Sequence, residues 1–220
     1  GDRRPGCGAE TAMIDLFITA FVTLFVVIDP PGCATIYASL TTGAGPAQRR
    51  AMAIRATLIA GGILIFFAMF GEALLSFLHI DLDSFRIAGG IMLFMIAIDM
   101  VFEKRTERRE QRAEKVAASD VEDVSVFPMA MPMLAGPGSI ASVMLLVAQN
   151  NGLDRAFVIF AALLLVLLIT LAALLAAGPL MRFIGNKGEA VITRLLGVLL
   201  AALAAQFVID GLKASFPTLG

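Results

Sequence analysis

The sequence predicts an all-α integral membrane protein. Its six transmembrane helices form two inverted three-helix repeats, and the first helix of each repeat is broken. Three observations predict this. Of 220 residues, 59% are hydrophobic and 16% charged, with a mean hydropathy of +0.88, whereas soluble domains carry about 25% charged residues. Six apolar stretches come close to or exceed the roughly 20 residues that a spanning helix needs. Two of these stretches are interrupted in the same manner, at Asp29-Pro30-Pro31-Gly32 and at Gly136-Pro137-Gly138.

Each span follows from its own residues. The first covers about 13–42. Pro30 and Pro31 remove two backbone donors and clash with the preceding turn, so the helix breaks at 29–32. A break at membrane depth is tolerated only where it is buried in protein or lines a cavity. A loop at 42–46 closes this span, and Arg49, Arg50 and Arg55 open the second, about 50–78. A polar turn at 81–84 leads into the third, 85–102. Residues 103–125 hold six basic and seven acidic residues, which makes them a solvated connector open to i,i+4 pairing. Their acids cancel the basic charge that a nucleic-acid surface needs. The fourth span covers about 126–149, broken around 136–138, and a turn at 149–152 follows. The fifth covers about 155–178, ending at Gly178-Pro179, and the sixth 189–213. The whole chain, 1–220, is thus one membrane domain: repeat 13–102, connector 103–125, repeat 126–213.

Placing alternate loops together gathers twelve of the 17 Lys and Arg residues on one side, against five on the other. The basic side is cytoplasmic by the positive-inside rule. Both termini are therefore expected outside the cytoplasm, in a multi-pass protein of the inner or plasma membrane. The apolar run near the start is expected to be retained as a span, because Arg3 and Arg4 lie far from it and Asp29-Pro30-Pro31 is a poor cleavage site. Net charge is −1, which gives no case for a nucleic-acid partner. One histidine, His79, and two cysteines, Cys7 and Cys33, supply neither a metal set nor a disulfide framework. No cofactor is expected. An intramembrane enzyme would need a nucleophile–base pair, and Ser139 has no histidine or lysine at a matching depth, so no enzyme is expected.

The two halves echo one another. Gly32 matches Gly138 at an offset of 106, Gly71 matches Gly178 at 107, and Arg86-Ile-Ala-Gly89 matches Arg194-Leu-Leu-Gly197 at 108. Each unit holds three spans, an odd number, so the second lies upside down relative to the first. Inverted repeats with discontinuous helices in corresponding positions mark secondary transporters.

The breaks suggest a chemistry. Each resumed helix begins just after its glycine, at Cys33 and at Ser139, and a helix start attracts a carboxylate through its free N–H groups and dipole. Glycine admits close approach of a ligand. Asp29 either holds an ammonium, carries a proton or caps the resumed helix, since a buried carboxylate is costly unless paired or protonated. Facing anion and cation subsites suit a zwitterion. The candidate substrate-binding set is Asp29, Pro30, Pro31, Gly32, Cys33 and Thr35 in the first half, with Ala135, Gly136, Pro137, Gly138 and Ser139 in the second. Small hydroxyls such as Thr35 and Ser139 also cap and pack helices, and Gly136-Pro137-Gly138 reads alternatively as a packing kink. Asp99, Gln206 and Asp210 lie toward span ends, where solvated positions are expected, and Arg86 and Arg194 anchor spans at the surfaces.

At these residues the chain resembles the MarC/SnatA family of multi-pass membrane proteins. Asp29-Pro30-Pro31-Gly32, the run from Pro132 to Ile140, Arg86-Ile-Ala-Gly-Gly90 and Gln206-Phe-Val-Ile-Asp-Gly211 carry the likeness, over about 13–213. The family's first motif usually runs Asp-Pro-x-Gly-Asn-x-Pro-x-Phe. Here Cys33, Thr35 and Tyr37 stand at its Asn, second Pro and Phe. The resemblance implies six helices in an inverted repeat and transport of small neutral amino acids such as glycine and alanine. Expected partners are that substrate, a coupling proton or sodium ion, and the lipid bilayer. The alternatives are an exporter of another small metabolite and a structural or regulatory membrane protein that transports nothing.

Overall fold

The computed structural model describes residues 6–102, 123–150 and 152–216, and the regular elements among them are helical. They are α1 (Gly6–Ile28), α2 (Pro30–Leu40), α3 (Pro46–Phe77), α4 (Leu82–Val101), a wide-turned segment (Ser125–Leu134), α5 (Pro137–Gln149), α6 (Leu153–Leu175) and α7 (Ala177–Ser215). Five stretches among the described residues are long and apolar enough to cross a membrane: Thr11–Leu40, Pro46–Phe77, Leu82–Val101, Leu153–Leu175 and Ala190–Ser215. The segment Ser125–Leu134 with α5, bent by 52°, adds a sixth if the pair is one span. Large apolar side chains face outward, among them Leu58, Phe77 and Phe157, each at least 70% exposed. Helices that are apolar on their outer as well as inner faces belong in lipid. Most of the connector expected at 103–125 lies outside the described residues.

Three boundaries differ from the sequence reading, each for a local reason. The first break is one residue, Asp29, and not a gap over 29–32, because Pro30 and Pro31 occupy the opening of α2. There their fixed φ and missing N–H are compatible with a helix. The first arm of the fourth span is not an α-helix. Phe127 (φ −129°, ψ 127°) and Met131 (φ −132°, ψ 125°) are extended, as residues preceding proline are pushed to be. Both following X-Pro bonds, to Pro128 and Pro132, are cis. Finally, Gly178-Pro179 begins a helix and does not end one. α6 stops at Leu175, and α7 runs without interruption from Ala177, Pro179 lying in its first turn.

Turn chemistry is clear at the end of α3. His79 takes φ 57°, its N–H donates to the carbonyl of Ser76 at 3.0 Å, and that of Ile80 to Leu75 at 2.9 Å. This is the paired Schellman closure of a helix end, so His79 is an exposed capping residue.

The packing is crossed between halves. α1 and α2 rest on α6, while Ser125–Leu134 and α5 rest on α3. α4 and α7 form the most extensive contact, and its glycines give the direction. A side chain on Gly90 would meet Ala204 and Val208, one on Gly197 would meet Ala97, Met100 and Val101, and one on Gly211 would meet Asp83 and Ile87. Numbers rise on one helix as they fall on the other, so the pair is antiparallel, with backbones brought close by small residues. One apolar core gathers α1, α2, α3, α5, α6 and Ser125–Leu134, and a second joins α4 and α7 to Val26, Val27 and Leu145.

Candidate substrate site at the two helix breaks

Asp29 sits between α1 and α2 in the left-handed region, φ 59° and ψ 67°. Among non-glycine residues, Asp and Asn tolerate this conformation best. It is 1% exposed. Its own N–H still donates to the carbonyl of Phe25 at 2.9 Å, so α1 closes on it. Its Oδ1 accepts the N–H of Gly32 at 3.2 Å, and its carbonyl accepts the N–H of Cys33 at 2.9 Å. Pro30 and Pro31 have no N–H. Every donor at the start of α2 is therefore missing or satisfied within the chain. The expectation of a free anion subsite at Cys33 is corrected by this geometry: the carboxylate already present at that helix start is Asp29's own. The Cys33 thiol donates to the carbonyl of Ile28 at 3.2 Å, and the Thr35 hydroxyl to that of Pro31 at 3.1 Å. The first serves a carbonyl whose i+4 donor, the N–H of Gly32, goes to Asp29 instead, and the second reaches back one turn within α2.

The second break is built differently. Gly136 is the N-cap of α5, φ −81° and ψ 171°, with no side chain to accept a bond. Pro137 occupies N1. The N–H of Ile140 donates to the carbonyl of Gly136 at 3.0 Å, but those of Gly138 and Ser139 have no capping side chain. The start of α5 thus keeps the partial positive charge that α2 has spent on Asp29. Gly136 has no room for any side chain, because a Cβ there would run into the backbone carbonyl of Pro132. Ala135 and Ser139 are buried, while Pro137 is exposed.

The two breaks meet. A Cβ on Gly138 would lie 3.3 Å from Cγ1 of Val27, two residues before Asp29. Ile28, Cys33, Ala34, Leu134 and Ala135 share one apolar core. Of the candidate residues, Asp29, Pro30, Gly32, Cys33, Ala135, Gly136, Gly138 and Ser139 are buried; Pro31 and Thr35 are partly exposed, and Pro137 faces outward. Sequence reasoning passed over Ser142. It is fully buried, and its hydroxyl has no partner among the described residues. Its spacing of three from Ser139, which puts both on one face of α5, was the available signal.

Of the polar residues toward span ends, Gln206 is exposed, whereas the Arg86 side chain is only 15% exposed and its Nε is buried without a partner among the described residues. Gln206 donates to Asp210 at 2.8 Å on the exposed side of α7. Arg86 pairs with Asp83 at 3.3 Å. Asp123, outside the spans, pairs with Arg55. The Ser125 hydroxyl beside it, the Ser125 N–H donated to its Oδ1 at 2.9 Å, and the Arg55 guanidinium hold its carboxyl below the usual range. Two cavities lie at opposite ends of the first span, one of about 220 Å³ by Tyr37 and Arg49 and one of about 440 Å³ by Met13 and Arg155; neither is lined by a residue of the breaks. Among the described residues, no cluster of His, Cys, Asp and Glu could hold a metal ion.

Comparison with known proteins is consistent over nearly the whole chain. Residues 14–216 match the family described as "MarC family integral membrane protein". A UPF0056 membrane protein of Methanocaldococcus jannaschii is 36% identical over 202 residues, covering 92% of this chain and 98% of the relative. The UPF0056 membrane protein YhcE of Escherichia coli is 33% identical over 204 residues (93% and 95%), and YvbG of Bacillus subtilis is 32% identical over 208 residues (94% and 99%). No solved structure matches the chain.

Proposed function

The chain belongs to the MarC family of integral membrane proteins, and we propose that it is a secondary transporter of small neutral amino acids, with the substrate held between its two helix breaks. One observation carries this reading. Two interruptions at membrane depth touch one another, one bearing a buried carboxylate, Asp29, and the other an uncapped helix start at Gly138 and Ser139. An intramembrane acid is a functional site by default, and opposite charges on two adjoining breaks suit an ammonium and a carboxylate on one small molecule.

Roles then divide by residue. The substrate carboxylate lies at the N–H groups of Gly138 and Ser139, with the Ser139 and Ser142 hydroxyls as neutral donors. Asp29 takes the ammonium or the coupling ion, proton or sodium. Glycine at 32, 136 and 138 leaves the backbone of both breaks open to close approach by a small ligand. In the closed arrangement seen here, Asp29 and Ser139 are 1% and 2% exposed, so substrate entry requires the breaks to part.

The inverted repeat belongs to the same proposal. The first span of each half rests on the middle span of the other, and the two third helices, α4 and α7, pack antiparallel. A pseudo-two-fold axis in the membrane plane would produce this exchange, and sites in such transporters lie at the repeat interface.

Thermal unfolding of the detergent-purified chain, screened across glycine, alanine, serine and larger amino acids, tests the substrate class. Stabilisation by the small neutral members, and none by lysine or glutamate, is the expected result. No shift with any amino acid would favour a membrane protein that transports something else or nothing.

A further inference from the structure

Away from the breaks, where α2 ends, α3 begins and α6 gives way to α7, lies the cavity of about 220 Å³. A water molecule's share of liquid is about 30 Å³, so the space suits a tetrahedral anion with a small substituent. Arg49 and Arg50 both line it, and none of its lining residues is an Asp or Glu. Arg55, further along α3, is neutralised by Asp123. Arg49 and Arg50 have no such ion pair among the described residues.

Arg49 is held in place. Its Nη2 donates to the carbonyl of Thr42 at 2.9 Å, and its own carbonyl accepts the Tyr37 hydroxyl. Its Nε is buried and finds no acceptor among the described residues. α3 adds to the field: it starts at Pro46, and its N-cap Gly45 brings no side chain to the exposed donors, so the dipole's positive end points the same way. Guanidinium forks match phosphate oxygens in a bidentate manner. The rim is mixed, with exposed Arg50 on one part and Leu175, 48% exposed, with Pro179 on another. Basic pockets between helices near a membrane surface are where anionic head groups bind.

We propose that this cavity binds a phosphate-type oxyanion through Arg49 and Arg50, either the head group of an acidic phospholipid or a small phosphate ester from solution. The apolar stretch of rim at Leu175 favours the membrane-borne source.

Thermal unfolding of the full chain in detergent, with phosphatidylglycerol, phosphatidylcholine or glycerol phosphate added at matched ionic strength, tests this. Phosphatidylglycerol is expected to raise the unfolding temperature and phosphatidylcholine to leave it unchanged. The Arg49→Gln/Arg50→Gln pair should shift the half-saturating lipid concentration roughly tenfold upward, as loss of a charge-assisted hydrogen bond gives. Arg55→Gln should respond like the native chain. Stabilisation by glycerol phosphate, lost in the same variants, would assign the soluble source. Should the double variant fail to fold, Arg50→Gln alone, an exposed side chain, decides the matter. Equal shifts with both lipids and none with glycerol phosphate, an undiminished response in Arg50→Gln, or an equal loss in Arg55→Gln would overturn the proposal.

Discussion

Oδ1 of Asp29 accepts the N–H of Gly32 at 3.2 Å, so the one carboxylate buried at the first break also closes the helix that follows it. Cap and charge are separable. Asn keeps both the accepting oxygen and the tolerance for φ 59°, whereas Ala loses both. Asp29→Asn is expected to unfold within a few tenths of a kcal/mol of the native chain. Asp29→Ala should lose about 2 kcal/mol, from the missing cap and the left-handed backbone together. Asp29→Gly should fall between them. Thermal unfolding in detergent checks the order.

Gly136 is a test of the second break. Its Cβ position is blocked by the backbone carbonyl of Pro132, and backbone yields less readily than a side-chain tip. Gly136→Ala should destabilise the chain by about 2–3 kcal/mol. Gly62→Ala, where a Cβ meets nothing within 4 Å, is the control and should be neutral or stabilising.

Ser142 makes the opposite prediction. Its buried hydroxyl is unsatisfied among the described residues, which costs stability that alanine would recover, on the order of 1 kcal/mol. Ser142→Ala should therefore be as stable as the native chain or more so, while the stabilising effect of bound glycine weakens. A variant both less stable and unchanged in ligand response would remove Ser142 from the site.

The Arg55–Asp123 pair gives a pH dependence. The carboxyl of Asp123 is held below its ordinary value, so its contribution is fully present above an unfolded value of about 3.9. It is lost as pH falls through the lower folded value. Both side chains are substantially exposed, so the effect is small, about 0–1 kcal/mol. Asp123→Asn should cost that amount at pH 7, and the difference from the native chain should vanish as pH falls through the lowered folded value. A difference constant across this range would exclude the pair as its cause.

The spans were legible because 20-residue apolar runs have few other uses, and the breaks because proline and glycine punctuate a helix whatever surrounds them. Less legible was what each break does with its backbone. From the residues alone Asp29 stands as a ligand group, a proton carrier or the cap of the resumed helix, and both helix starts stand as anion sites. The structure instead spends the donors of α2 on Asp29 and leaves those of α5 uncapped, a difference set by one side chain at the N-cap. Periodicity also could not reveal that the residues before Pro128 and Pro132 turn extended, or that Pro179 opens a helix. Those depend on where in a turn the proline falls. Ser142 escaped notice because a serine in an apolar helix is ordinary until its burial and missing partner are known.

Uptake of labelled glycine into proteoliposomes, driven by an imposed proton or sodium gradient, addresses the carboxylate most directly. The native chain should accumulate glycine above protein-free vesicles, and Asp29→Asn, inserted and folded to the same extent, should lose at least roughly tenfold in rate, as expected for removing a charged partner. Transport by Asp29→Asn at the native rate would contradict a role for the carboxylate, and no glycine or alanine uptake by the native chain under either gradient would contradict the transport reading itself.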